Sequence, residues 1–153
     1  MTVKRLSSLK NLKGFSLVEV LVFVTVLGLF FVAAISVTTF NLKSMKIQEH
    51  KILAVRYAEE VVEWVRQEKE DDWTTFITRD STGPTTYCLN DYPDWSTAST
   101  CNNYNLGTMY KRELLIRNSG SPVSQVETTV TVSWEDMGTN LSVPIKTVFK
   151  LLE

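Results

Sequence analysis

Residues 15–40 read FSLVEVLVFVTVLGLFFVAAISVTTF, an apolar run in which Glu19 is the only charged residue. About 20 apolar residues, each rising 1.5 Å, are enough for a helix to cross a bilayer. A secretory signal peptide has a shorter apolar core, and Ala33-Ala34 is only a weak candidate exit site. A buried core helix of this length is out of place in a chain of 153 residues. The run therefore predicts a transmembrane helix.

The segment before this run is basic. It contains Lys4, Arg5, Lys10 and Lys13 and no acidic residue. Basic residues beside an apolar helix are held on the cytoplasmic side of a membrane. We therefore expect the N-terminus to lie inside the cell and the rest of the chain to lie outside it, with a single pass between them.

The remainder of the chain is acidic. The full sequence has 16 basic and 17 acidic residues, a net charge of −1, and loss of the four cations before the apolar run leaves 12 against 17, or −5. No segment after residue 41 is strongly basic. Nucleic-acid binding through a basic face is therefore not indicated.

Helical periodicity continues beyond the apolar run, over residues 41–71, where the sequence has neither proline nor glycine. An apolar stripe recurs there at helical spacing, and most charged residues lie off it. Its members are Ile47, Ala54, Ala58, Val61 and Val65. The pattern predicts one helix over residues 15–71, apolar all round in its first half and amphipathic in its second.

Residues 72–109 are predicted to form a long connection, because they are rich in turn-forming residues such as those of 80–84 and 92–94. The connection contains the chain's two cysteines, Cys88 and Cys101. If this part of the chain is exported, a disulfide between them is expected in the oxidising compartment, and in a reducing cytosol they would be two unpaired thiols. A disulfide would stabilise the loop by roughly 3 kcal/mol.

Three strands are predicted after the connection, over residues 110–118, 126–134 and 141–152, as part of a region 110–153. Alternation places Tyr110, Leu114 and Ile116 on one face of the first strand and Val126 to Trp134 at every second position of the next. Short loops make neighbouring strands antiparallel, and Pro144 suggests that the last strand lies at an edge or starts late. We expect an α+β fold in which a three-stranded sheet packs on the helix stripe.

The junction Leu12-Lys13-Gly14-Phe15-Ser16-Leu17-Val18-Glu19-Val20-Leu21 resembles the N-terminal motif of type IV pilins and pseudopilins. That motif has six successive positions: Gly, Phe, Ser/Thr, Leu, Ile/Val and Glu. An apolar stretch follows it. A lone carboxylate in a bilayer costs a few kcal/mol or more, so Glu19 either lies near the interface or pairs with a positive group on another copy.

The resemblance implies a precursor whose leader, residues 1–14, is cut off by a prepilin peptidase between Gly14 and Phe15. It further implies N-methylation of Phe15 and an assembly role for Glu19, which would neutralise the N-terminal amine of a neighbouring subunit. The implied partners are the peptidase, other pilin subunits with their assembly machinery, and membrane lipid before assembly. The implied location is the bacterial inner membrane and then a pilus or pseudopilus.

Ser36 stands where many major pilins have a kinking proline, and Gly28 allows local melting of the helix. Residues 53–66 and the ending in three strands look more like PilV-like minor pilins. We therefore expect a minor subunit of a type IV pilus. The alternatives are a minor pseudopilin of a type II secretion system and a membrane-anchored binding domain that never polymerises.

Other constellations favour no enzyme, cofactor or metal ion. His50 is the only histidine and is expected to be a solvated helix residue. Two acidic groups are conceivable calcium sites, but a solvated helix end explains the first more simply. They are Glu68, Glu70, Asp71 and Asp72, and Asp80, Asp91 and Asp94. Five loop aromatics either bind a partner or pack over the sheet: Trp73, Tyr87, Tyr92, Trp95 and Tyr104. No glycine-rich phosphate loop is present.

Overall fold

A computed structural model of the chain describes residues 14–80, 83–136 and 138–151. Its helices are α1 (Leu17–Asp71) and α2 (Trp73–Ile77), followed by a 3-10 turn (Thr78–Asp80). Its strands are β1 (Thr85–Cys88), β2 (Tyr110–Ser119), β3 (Gln125–Asp136) and β4 (Thr139–Lys150). The chain divides into two compact units between Ser44 and Met45. The predicted basic leader falls outside the described residues, apart from Gly14.

The first unit contains the apolar part of α1. The first residue in helical conformation is Leu17, two residues later than predicted, and the Val20 N–H donates to the Ser16 carbonyl at 3.2 Å. Every residue of this segment up to Lys43 is exposed. An apolar helix with no internal partner agrees with the predicted transmembrane character, because such a surface needs lipid or another protein to cover it.

The second unit is a helix packed on a sheet, as the sequence predicts. Four of the five stripe residues, Ala54, Ala58, Val61 and Val65, are completely buried, and Ile47 is partly buried. The four buried residues form a single apolar cluster with inward-facing residues of β2, β3 and β4. α1 ends at Asp71, because Asp72 has an extended backbone and caps the N-terminus of α2 instead.

The sheet has four strands in the order β1-β2-β3-β4, all antiparallel, and the prediction of three strands was therefore wrong in number. The additional strand, β1, lies inside the predicted connection and pairs Tyr87 with Leu114 of β2. With four residues it is too short to show a period, although its Thr-Thr-Tyr sequence suits a strand. Non-local pairing with β2 gives it its conformation.

β4 lies at an edge, which confirms one interpretation of Pro144. The strand begins at Thr139, ahead of the proline, so the alternative of a late start is wrong. Proline lacks an N–H for the ladder, and an edge position tolerates that loss. The turns on either side of β3 contain Gly120 and Gly138, whose positive φ angles of 95° and 75° favour glycine. Met137 and Leu152 lie outside the described residues.

The segment between β1 and β2 is held by a disulfide and by contacts with α1. The disulfide joins Cys88, at the end of β1, to Cys101, 13 residues later. Between them, the indole N–H of Trp95 donates to the Glu68 carboxylate at 2.6 Å, and its ring lies 4.5 Å from that of Trp64. The segment therefore packs on one side of α1 rather than extending into solvent.

A buried arginine of β2 also binds the same segment. The Arg112 side chain is completely buried, and its Nη1 lies 2.9 Å from Oε2 of Glu60 on α1 and 3.3 Å from the Tyr57 carbonyl. Its Nη2 donates to the carbonyl oxygens of Asn90 and Asp91. One guanidinium thus connects the sheet, the helix and the connecting segment.

Candidate processing and assembly site

Gly14 and Phe15 lie just before α1, in a stretch without regular structure. Phe15 is 81 % exposed. A Cβ built on Gly14 meets no described atom within 4 Å, and Gly14 does not have the positive φ that would require glycine. The fold of the described chain therefore makes no demand for glycine at this position, and a requirement for it would have to come from an external binding partner.

Glu19 is the acidic residue in the first turn of α1. A carboxylate at this end of a helix interacts favourably with the partial positive charge of the unsatisfied N–H groups. Phe15, Glu19, Val20 and Phe23 line one shallow depression of predominantly apolar character. No residue that the structure describes forms a hydrogen bond or an ion pair with the Glu19 carboxylate. The carboxylate is thus positioned for a cation that arrives from outside.

The surface around Glu19 is apolar. By length and composition α1 is able to cross a membrane, and none of its most apolar stretch is buried. Phe23, Phe30 and Phe31 are each more than half exposed. Water is a poor solvent for such a surface, so lipid tails or other apolar helices are the surroundings that it requires.

The hydroxyl groups in this segment are satisfied within the helix. Ser36, Thr38 and Thr39 each donate to the carbonyl four residues earlier, at 2.9 Å, and Thr25 donates to the Val22 carbonyl at 2.8 Å. Hydroxyls bonded in this way cost little in an apolar environment. Glu19 is therefore the one charged side chain between Leu17 and Leu42, and no described side chain supplies its counter-charge.

Several of the carboxylates that were conceivable calcium ligands have other roles in the structure. Glu68 accepts the Trp95 indole, Asp80 accepts the Asn118 backbone N–H at 2.6 Å, and Asp94 accepts the Ser96 N–H at 2.8 Å. Asp72 caps α2, while Glu70, Asp71 and Asp91 are exposed. Within residues 14–80, 83–136 and 138–151, no three His, Cys, Asp or Glu side chains are grouped so that they would hold a metal ion.

The loop aromatics divide between core and surface. Tyr87 is buried, Trp73 and Trp95 are half-buried against the core, and Tyr92 is 87 % exposed. Tyr104 is also exposed. Packing over the sheet thus explains three of the five, and Tyr92 stands out as a side chain with no cover.

Sequence reasoning missed two polar contacts of the second unit. Nδ1 of His50 lies 2.8 Å from the hydroxyl of Tyr110, so this histidine is half-buried at a helix–sheet contact rather than solvated. Burial raises the pKa of Tyr110. The second contact is the Arg112 side chain; its signal was the strict alternation of β2, which places Arg112 on the same face as Leu114 and Ile116.

Comparison with known proteins identifies one family model. Residues 9–35 match the model described as the prokaryotic N-terminal methylation motif. The matched span includes Gly14, Phe15 and Glu19 and extends over most of the exposed apolar segment. This motif is a signal of the type IV pilin family and supports a pilin or pseudopilin subunit. Neither the curated proteins nor the solved structures compared with the chain gave a match.

Proposed function

We propose that this chain is a structural subunit of a type IV filament, made as a precursor and assembled through α1. The observation that carries the proposal is the coincidence of two features in one segment. The methylation motif of residues 9–35 overlaps a fully exposed apolar helix, and Glu19 is the only charge in that helix up to Lys43. The motif accounts for processing, and the exposed helix supplies a surface for assembly.

Processing follows from the junction. A prepilin peptidase would cut between Gly14 and Phe15 and then methylate the new amine of Phe15. The exposure of both residues and their position outside regular structure leave the peptide bond open to a protease. The cut creates a cationic amine close to the carboxylate of Glu19 in sequence, and this is the pair of charges on which assembly depends.

Assembly is proposed to use that pair between neighbouring copies. A carboxylate and an ammonium in a low-dielectric surrounding are both costly when alone and attract each other strongly when together. When the Glu19 of one subunit meets the amine of Phe15 on another, both charges are neutralised and the axial register of the two helices is fixed. The apolar helices then exchange lipid for one another in the filament core.

The proposed location follows from the charges around α1. The basic leader would stay in the cytoplasm, α1 would cross the inner membrane once, and the second unit would lie outside. The Cys88–Cys101 disulfide supports this topology, since disulfides persist in oxidising compartments.

Within the family we favour a minor pilin of the PilV-like kind, on the features of residues 53–66 and the closing strands. A minor pseudopilin of a type II secretion system is the alternative. A membrane anchor that is never cut and never polymerises is the competing function of a different class.

The first test is the N-terminus and intact mass of the protein isolated from its native membrane. We expect a chain that starts at methylated Phe15 and lacks two hydrogens because of the disulfide. The same protein from cells without the peptidase should start at Met1 or at its formylated form. A chain that still starts at Met1 in cells with an active peptidase would contradict the proposal and favour the plain anchor.

A further inference from the structure

The disulfide-closed loop presents one exposed aromatic side chain. Tyr92 is 87 % exposed, the highest value among the described large apolar side chains. Exposed carboxylates flank it at Asp91 and Asp94. We name residues 91–94 the acidic tip. A tyrosine in this setting has a large apolar surface for contact, and its neighbours add negative charge.

The acidic tip is held in place on both sides of Tyr92. Before it, the carbonyl oxygens of Asn90 and Asp91 accept from the buried guanidinium of Arg112. After it, the Asp94 carboxylate accepts hydrogen bonds from the Ser96 hydroxyl and from the Ser96 N–H at 2.8 Å, and these bonds, the hydroxyl's first, keep the pKa of Asp94 below its ordinary value. A tip whose backbone is held in this way loses less freedom on binding than a free loop would.

A complementary surface lies on α1 in the same unit. Gln48, Lys51, Ile52, Val55, Arg56 and Glu59 line a shallow groove, which we name the helix groove. Its apolar floor includes Ile52, which is 61 % exposed although it lies outside the apolar segment. Lys51 and Arg56 contribute two cations, and Glu59 contributes one carboxylate. The groove therefore combines an apolar contact area with positive charge.

The acidic tip and the helix groove lie on different sides of α1. The connecting segment contacts α1 through Trp64 and Glu68. Arg112 of β2, which holds the Asn90 and Asp91 carbonyls, contacts Glu60 one turn earlier on the same line of α1. The centre of the helix groove, near residues 52–55, is rotated from that line by about 150° at 100° per residue. Two complementary surfaces on nearly opposite sides of one subunit cannot pair in a closed symmetric dimer. They favour a head-to-tail contact, in which different surfaces of two copies meet.

We propose that the acidic tip of one subunit docks into the helix groove of a second copy of this chain. Tyr92 would cover Ile52 and Val55, and Asp91 and Asp94 would lie beside Lys51 and Arg56. The inference rests on the proposed function, since it supplies a lateral contact for subunits that α1 already holds together. The charges set specificity, and the tyrosine supplies the buried apolar area.

The test is cross-linking between two tagged full-length chains produced together under assembly conditions. One chain carries Asn90→Cys, beside the acidic tip, and the other carries Gln48→Cys, in the lining of the helix groove, so that Tyr92 and Ile52 both stay in place. A short bis-maleimide reagent joins free thiols and leaves the Cys88–Cys101 disulfide intact. In the matched control Val148→Cys, on the outer face of β4 and 53 % exposed, replaces Asn90→Cys. We expect at least about tenfold more doubly tagged product from the first pair, because docking raises the effective concentration of its thiols.

Charge reversal tests the chemistry of the contact. Asp91→Lys added to the Asn90→Cys chain should lower the cross-linked yield about fivefold. Lys51→Glu, added to the Gln48→Cys chain, reverses the charge of the proposed partner of residue 91 and should restore the yield. A fall without restoration would show damage to the loop and overturn the charge pairing.

The same samples distinguish a failure of the docking contact from a failure of the proposed filament function. Chains that start at Phe15 and enter filaments without cross-linking would overturn the docking and leave the proposed function standing. Chains that remain uncut would overturn both. A product that joins the Asn90→Cys chain to a protein of another sequence, and not to the Gln48→Cys chain, would overturn the choice of a second copy.

Discussion

Arg112 and Glu60 form an ion pair in which one partner is completely buried and the other is half exposed, with Nη1 of Arg112 2.9 Å from Oε2 of Glu60. The pair joins β2 to α1 across the apolar core. Water reaches the carboxylate and not the guanidinium, so the arginine depends on Glu60 and on backbone carbonyls for its solvation. This asymmetry makes the two residues unequal in their effect on stability.

Removal of the glutamate should cost more than removal of the arginine. We expect Glu60→Ala to lower the free energy of unfolding by about 3–5 kcal/mol, because it leaves a completely buried guanidinium without its counter-charge. Arg112→Met should cost about 1–3 kcal/mol, since water solvates the half-exposed Glu60 and only backbone carbonyls lose a donor. Urea unfolding of the full chain in detergent measures both.

The exposed pair Glu63–Arg66 is the control for this comparison. Glu63→Ala should change the free energy of unfolding by no more than about 0.5 kcal/mol, because exposed ion pairs contribute little. Equal losses for Glu60→Ala and Glu63→Ala would show that the buried guanidinium does not need its carboxylate.

Gly14→Val should block cleavage of the precursor without affecting its fold. The side chain added at Gly14 would meet no described atom of the chain, so an effect on processing reports on the protease pocket alone. Immunoblotting for the slower precursor, together with N-terminal sequencing, measures the fraction cut. Gly28→Ala is the matched control, because its added Cβ also meets no described atom, and this variant should be cut normally. Normal cutting of Gly14→Val would remove the main support for the assigned cleavage site.

Glu19→Ala should permit cutting and reduce incorporation into filaments by at least about tenfold, since the amine of a neighbour then lacks its counter-charge. The measurement is the ratio of processed chain in sheared filaments to processed chain left in the membrane. Thr25→Ala, in the same segment, removes a hydroxyl that is already satisfied by the Val22 carbonyl and should leave the ratio unchanged. If Glu19→Ala filaments assembled normally, charge pairing would not set the register.

Asp72 should contribute stability that depends on pH. Hydrogen bonds from Thr74 and Thr75 lower its pKa from 3.8 to about 2 in the folded chain. A carboxylate with a depressed folded-state pKa stabilises the fold fully above its unfolded value and loses that effect as pH falls toward the folded one. The advantage of the native chain over Asp72→Asn, measured as the unfolding midpoint, should therefore shrink between about pH 4 and pH 2. Asp71→Asn removes the neighbouring exposed carboxylate, which accepts no hydrogen bond from a described group, and is the control for the loss of one negative charge.

The strands that the sequence revealed are those with a clear period of two. β3 buries Val126, Thr128, Val130, Val132 and Trp134, as its strict alternation predicts, because alternation alone determines which side chains share a face. β1 escaped prediction because four residues after Pro84 are too few for a period. Its pairing with β2 depends on residues about 30 positions away, which a local pattern does not report.

The processing motif could be read from the sequence because it is contiguous, and Glu19 is conspicuous as a charge in an apolar run. The polar contacts of the core could not. Arg112 meets Glu60 across 52 residues of sequence, and His50 meets Tyr110 across 60. A prediction from sequence normally assigns a charged residue to the solvent-exposed face of a strand. Only the assembled fold supplies the hydrogen-bond acceptors that permit its burial.

The position of β4 at the edge of the sheet matters where many copies of this chain lie close together. An open strand border is a template on which another chain can add by main-chain pairing, and this is how native sheets convert into cross-β aggregates. Pro144 withdraws one N–H from β4, and the exposed side chain of Lys150 adds repulsion between like borders. Copies of this chain held side by side at high local density are thereby discouraged from merging their sheets, and native packing is left to govern how they associate.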